Sequence, residues 1–98
     1  MIQFEERSAV TAQRGMVTSP HHLASEAGAD VLRAGGSAVD AALATAAVLA
    51  VIYPHMTGMG GDAFWLIHDP QTGQVRYLDG GGRASSKADM AYFTQRGM

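Results

Sequence analysis

A few short clusters in this sequence carry residue types that could do chemistry. Arg83 follows three consecutive glycines, Gly80-Gly81-Gly82, at the end of a strand-like run. A guanidinium is a planar fork of N–H donors that matches a carboxylate in bidentate fashion. Glycines beside it would leave room for a small ligand. On residues alone, carboxylate binding at Arg83 stands beside the plainer reading of an exposed loop arginine. Gly58-Met59-Gly60-Gly61 invites comparison with a phosphate loop, but Ala63 stands where a dinucleotide fingerprint has its third glycine. That loop also follows a helical run and enters a strand-like one, the reverse of the fingerprint's order. These glycines more simply allow close approach of backbone or ligand. His22 and Glu26 share a helix face beside His21, yet a metalloprotease helix needs two histidines at that spacing. Polar contacts at a helix start are the expected use, and no metal is expected. Ser85-Ser86-Lys87 lacks the spacing of a serine–lysine nucleophile pair, because Ala84 stands where the serine would be.

The elements that must position these residues are legible from periodicity and punctuation. Gly15-Met16-Val17-Thr18 reads as a short strand after an extended arm over 1–14. Ser19 is expected to cap a helix with Pro20 at its first position, and Gly35-Gly36 to end it. Leu23, Ala27 and Val31 form its apolar stripe, widened by Ala24 and Leu32. Ser37 and Asp40 make a capping box for a second helix that runs to Tyr53 and stops at Pro54. From Ala38 to Tyr53 only Asp40, Thr45 and the tyrosine hydroxyl are polar. Such a run spans about 24 Å, short of the roughly 30 Å hydrocarbon core, and much of it is alanine. No membrane span is expected. A helix apolar on all sides is instead expected to lie between layers, which implies that this chain is a piece of something larger. Residues 63–68 read as a buried strand, Asp69 to Gly73 as a turn, and 74–79 as the returning strand of a hairpin. A short helix over 88–95, with Met90 and Phe93 on one side, closes the pattern.

The predicted class is α+β, helices on a mostly antiparallel sheet. Only 16% of the 98 residues are charged, against about 25% in ordinary domains, while 47% are hydrophobic. The net charge of −2 provides no basic footprint for nucleic acid. With no cysteine, disulfides, thiolate nucleophiles and cysteine-held metals are excluded. The polar start MIQFEERSAVTAQRG shows no apolar signal region. A cytoplasmic location is therefore the default expectation, with a periplasmic or secreted one if the N-terminus is incomplete.

Gly15 to Gly28, Leu32 to Ala42 and Pro54 to Gly61 together resemble the N-terminal part of the γ-glutamyltranspeptidase family. Those blocks run G-M-V-x-S-P-H-x-L-A-S-x-A-G, L-x-x-G-G-x-A-V-D-A-A and P-H-x-x-G-x-G-G. The likeness continues to about Arg83, so 15–83 is read as a family-like core and 1–98 as an N-terminal fragment of the large-subunit portion. The resemblance implies an αββα sandwich of the N-terminal-nucleophile hydrolases. It implies a self-cleaving proenzyme whose new N-terminal threonine attacks a γ-glutamyl amide, glutathione being the usual donor, with transfer to water or to an amino acid or peptide. No metal or organic cofactor is implied. The implied partners are a small γ-glutamyl substrate, the remainder of the large subunit, and the small subunit. Arg83 best matches the family's clamp for the substrate α-carboxylate.

Several positions depart from the family pattern. The common Leu-Asp-x-Arg-Glu becomes Leu78-Asp79-Gly80-Gly81-Gly82-Arg83-Ala84, with two extra residues before the arginine. Ser37 replaces asparagine, and Asp62 follows Gly60-Gly61 where many members continue with glycine. These traits look more like a transpeptidase-like or acylase-like branch, so a glutaryl or cephalosporin-type acylase is the alternative. A non-enzymatic small α/β interaction domain is a further one. No residue matches the catalytic threonine: Thr45 lies within a helix and Thr94 precedes glutamine. No catalytic residue is assigned within this chain, and the 98 residues alone are expected to be inactive.

Overall fold

The computed structural model describes residues 8–98, which fall into two compact units divided after Met59. The arm expected over 1–14 lies partly outside the described residues; its described part, 8–14, has no regular structure.

The first unit is a helix pair. Helix α1 runs His22–Arg33 and helix α2 runs Ala38–Ile52, and the two pack on each other. Helix α1 begins later than the sequence predicts. Its N-cap is His21, extended at φ −138° and ψ 130°, and His21 Nδ1 accepts the Leu23 amide at 3.2 Å. Ser19 is not the cap because His21 is still extended and the helix begins only after it; the Ser19 hydroxyl makes contacts of its own. It donates to the His21 carbonyl at 2.8 Å and lies 2.7 Å from the Ser25 hydroxyl. Pro20 sits in the bend before the helix rather than in its first turn.

The stop is as the glycines predict. The Gly36 amide donates to the Val31 carbonyl at 2.9 Å and the Gly35 amide to the Leu32 carbonyl at 3.1 Å. Gly35 at φ +91° supplies the left-handed residue that this pair of bonds requires.

The expected strand over Gly15-Met16-Val17-Thr18 does not form. Among the described residues no strand pairs with it, and a strand exists only through a ladder partner. Instead it runs along the helix pair, with Val17 close to Gly28 and Gly15 close to Leu32.

Helix α2 carries the predicted capping box. The Asp40 amide donates to Ser37 Oγ at 3.1 Å, while Asp40 Oδ2 accepts the Ser37 amide at 2.9 Å and hydroxyl at 2.7 Å. Pro54 has no N–H, so carbonyls at the helix end need other donors. The Thr57 hydroxyl lies 2.8 Å from the Leu49 carbonyl oxygen and 2.9 Å from that of Tyr53.

The core of this unit is narrow. Ala24 and Gly28 of α1 meet the stripe Ala41, Thr45 and Leu49 of α2. The buried Thr45 hydroxyl is satisfied by donating to the Ala41 carbonyl at 2.8 Å. The other faces of α2 are half-buried or exposed among the described residues: Val48 and Ile52 are half-buried, while Leu43 is 52% and Val51 77% exposed. Among the described residues the apolar helix packs on α1 along this stripe.

The Asp40 carboxylate is held below the usual aspartate range, first by the Ser37 hydroxyl and then by the Ser37 amide. A lowered folded value stabilises the fold above the ordinary aspartate pKa of about 3.9, and that contribution is lost as pH falls below it. Urea midpoints of the wild type and Asp40→Asn should therefore differ near neutrality and converge in acid. A difference that persists unchanged at low pH would refute the capping role.

The second unit is a hairpin followed by a short helix. Strand β1, Ala63–His68, pairs antiparallel with β2, Val75–Gly80, with Ala63 opposite Gly80 and His68 opposite Val75. Asp69 makes the turn. Its Oδ1 accepts the Gln71 amide and its Oδ2 the Thr72 hydroxyl, both at 2.9 Å, and Gly73 takes φ +69°. These two bonds, the amide first, also hold the Asp69 carboxylate below its usual range.

Strand β1 is placed where the sequence predicts but is not buried. Trp65 and Ile67 are half-buried, Phe64 and Leu66 exposed, because two strands alone offer no second layer. Helix α3, Met90–Thr94, is shorter than the predicted 88–95, since Asp89 caps it by accepting the Tyr92 amide at 2.7 Å. Met90 is exposed and Phe93 is at the edge of exposure. No described helix is long and apolar enough to cross a membrane.

Candidate functional site

Arg83 lies just past the end of β2, exposed, on the segment that leaves the hairpin. Among the described residues the only ion pair is Arg33 with Asp30, so no carboxylate there neutralises the Arg83 guanidinium. An exposed, uncompensated arginine is available to an external carboxylate.

The glycines before it have a different role from the one their composition suggests. A β-carbon on Gly80 would lie 2.6 Å from the Ala63 carbonyl oxygen across the ladder. One on Gly81 would meet Asp79 Oδ1 at 3.0 Å and the Phe64 ring at 3.4 Å, and one on Gly82 would meet Asp62 Oδ1 at 3.2 Å. The space expected for a ligand is thus partly taken by the hairpin itself. Glycine is needed here for close approach, not for backbone sign, since none of these three has positive φ.

Two carboxylates hold this loop. Asp79 Oδ1 accepts the Gly81 amide at 2.9 Å, and Asp62 Oδ1 accepts the Gly82 amide at 2.6 Å. In the sequence Asp62 stands out only as a departure from a glycine run. The hairpin register could have pointed to it, since Ala63 opposite Gly80 places residue 62 beside the loop that precedes Arg83.

The other clusters have local roles or open surroundings within their own units. Gly60 takes φ +82°, and no atom lies near the β-carbon positions of Gly58, Gly60 or Gly61. His21 stacks on His22 with ring centroids 4.7 Å apart, at the start of α1. Among the described residues no three histidine, aspartate or glutamate side chains gather as a metal-ligand set. The Ser85 hydroxyl accepts the Lys87 amide at 3.3 Å, a local turn rather than a nucleophile pair. Two shallow grooves lie on the first unit, one lined by Arg14, Val17 and Arg33 and the other by Met16, Ala42 and Leu49; neither is lined by these candidates.

The profile of the gamma-glutamyltranspeptidase family matches residues 24–98. The chain belongs to the gamma-glutamyltranspeptidase family. It is 53% identical over 75 residues to the glutathione hydrolase-like YwrD proenzyme of Bacillus subtilis, which covers 76% of this chain and 14% of that protein. It is 49% identical over 90 residues to the oxamate amidohydrolase proenzyme of Klebsiella pneumoniae, covering 91% of this chain and 17% of that protein. In three dimensions it matches the crystal structure of Helicobacter pylori gamma-glutamyltranspeptidase with a TM-score of 0.76 and 39% identity, over 84% of this chain and 23% of that one. The chain therefore spans less than a fifth of the length of these two curated relatives.

Proposed function

We propose that this chain is the N-terminal part of the large subunit of a γ-glutamyltranspeptidase-like hydrolase. The family match over 24–98 carries this reading. It is supported by the small share of each relative that the chain spans, and by the absence of any fully buried large side chain among the described residues. The intact protein self-cleaves, and a threonine from a later segment becomes the new N-terminus. That threonine Oγ attacks the amide carbonyl carbon of a γ-glutamyl substrate. The C–N bond breaks and the amine leaves with a proton. Water, or the amine of an amino acid or peptide, then releases the acyl group. Arg83 binds the substrate carboxylate. The reaction needs no metal or organic cofactor. The 98 residues alone are inactive.

A second reading changes only the substrate. The likeness to an oxamate amidohydrolase over nearly the whole chain favours a small amide that bears a carboxylate. A glutaryl amide is a third form of the same chemistry, since it keeps a carboxylate and lacks the α-amino group. Arg83 serves each of them.

Purified intact protein should be assayed against a γ-glutamyl anilide, a glutaryl anilide and oxamate, and its cleaved small subunit sequenced from the N-terminus. Turnover of the γ-glutamyl anilide with an N-terminal threonine is expected. Preferred turnover of oxamate or of the glutaryl amide would move the assignment to that substrate. Absence of cleavage and of turnover on all three would overturn the enzymatic reading.

A further inference from the structure

The loop that leads into Arg83 is made of the most flexible residues available. Three consecutive glycines retain wide backbone freedom unless something removes it. Here none is locked by a left-handed conformation. What fixes the loop is a pair of carboxylates. Asp79 acts locally on the Gly81 amide. Asp62 acts from the far side of the hairpin, twenty residues away in sequence, accepting the Gly82 amide at 2.6 Å. The anchored amide lies one residue before Arg83, and successive α-carbons are only about 3.8 Å apart. A charge-assisted bond at that point restrains where the Arg83 side chain begins. The loop has two parts, the glycines before Arg83 and the acidic residue before β1. They meet in a single hydrogen bond.

We propose that Asp62 is a positioning residue for Arg83: its carboxylate staples the Gly82 amide and presents the arginine to the substrate carboxylate. The inference rests on the reading of Arg83 as the carboxylate ligand. Pre-ordering a glycine loop lowers the entropy lost when substrate binds, so its effect belongs in substrate affinity rather than in the chemical step.

The test uses the intact protein and whichever of the three amides above it hydrolyses. Asp62→Ala should raise KM about tenfold and leave kcat within about twofold. Asp62→Asn keeps an acceptor oxygen and should return KM to within about threefold of wild type. In an Arg83→Ala background, Asp62→Ala should add less than about twofold, because the group it positions is gone. Should Asp62→Ala give no folded enzyme, Asp62→Gln carries the test. Its longer side chain misplaces the acceptor, and the same KM rise is expected only where Arg83 is present.

Unchanged KM in Asp62→Ala or Asp62→Gln, with KM raised by Arg83→Ala, overturns the staple and leaves the Arg83 reading standing. Asp62→Asn as impaired as Asp62→Ala would mean a direct charge contact with substrate, and overturns it too. A full additional loss in the Arg83→Ala background does the same. No change of KM in Arg83→Ala alone removes the reading on which the inference rests.

Discussion

Replacing Arg83 with alanine in the intact protein is expected to raise KM for its amide substrate about a hundredfold, with self-cleavage proceeding as in the wild type. Each hydrogen bond between a charged donor and a carboxylate is worth about 1.5–3 kcal/mol, and a bidentate fork makes two. Incomplete desolvation at an exposed position reduces that sum, and a net loss near 2.7 kcal/mol corresponds to about a hundredfold. Arg83→Lys keeps the charge and loses the fork, so an intermediate KM is expected. Self-cleavage acts on the chain's own peptide bond and has no substrate carboxylate to bind. Parallel measurement of processing on a denaturing gel and of steady-state kinetics separates the two effects. A KM unchanged in Arg83→Ala would remove the residue from the site.

Gly28→Val is expected to prevent folding of the helix pair. Gly28 is buried where α1 crosses α2. A β-carbon there would overlap the Thr45 hydroxyl, lie 2.9 Å from Val17 Cγ1, and lie 3.0 Å from the Ala41 carbonyl oxygen. The backbone carbonyl cannot yield without moving α2, and Thr45 is held to that same carbonyl at 2.8 Å. Overpacking of this kind costs about 1–3 kcal/mol even for a methyl group, and valine adds two more carbons. Gly28→Ala is the milder case, because alanine recovers about 1 kcal/mol of helix propensity. Thr45→Ala removes the nearest obstacle, so Gly28→Ala/Thr45→Ala should melt higher than the sum of the single changes predicts. Soluble yield of Gly28→Val and melting temperatures of the alanine variants give the answer. A Gly28→Val protein that melts like the wild type would show that the helices do not meet at this point.

The acidic anchor and the buried glycine depend on residues far apart in the chain, whereas the elements legible in the sequence depend on near neighbours. The Ser37–Asp40 box, the Gly35-Gly36 stop and the Asp69 turn all hold in the structure. Each is completed by residues two to five positions apart, so its physics is local. Ser19 does not cap α1 because the chain stays extended through His21, whose own ring nitrogen accepts the Leu23 amide, a role that capping rules built on serine and aspartate do not weigh. The segment 15–18 failed as a strand because strand formation depends on a partner, and Val17 instead lies close to Gly28 on α1. The glycines before Arg83 were expected to make room for a ligand, and their room is largely filled by Ala63, Phe64 and Asp62.

By itself the sequence determined the family blocks, the order of helix pair, glycine loop and hairpin, and Arg83 as the candidate for a carboxylate. The element order follows from capping, periodicity and turn chemistry, which act over a few residues and are written in consecutive positions, while the blocks and Arg83 rest on the family resemblance and on guanidinium chemistry. Only the tertiary structure decided which stripe of the apolar helix is covered, why Gly28 must be glycine, and that Asp62 reaches the Gly82 amide. Those contacts join residues 11 to 20 positions apart, and the register of β1 on β2 and the packing of α1 on α2 bring them together.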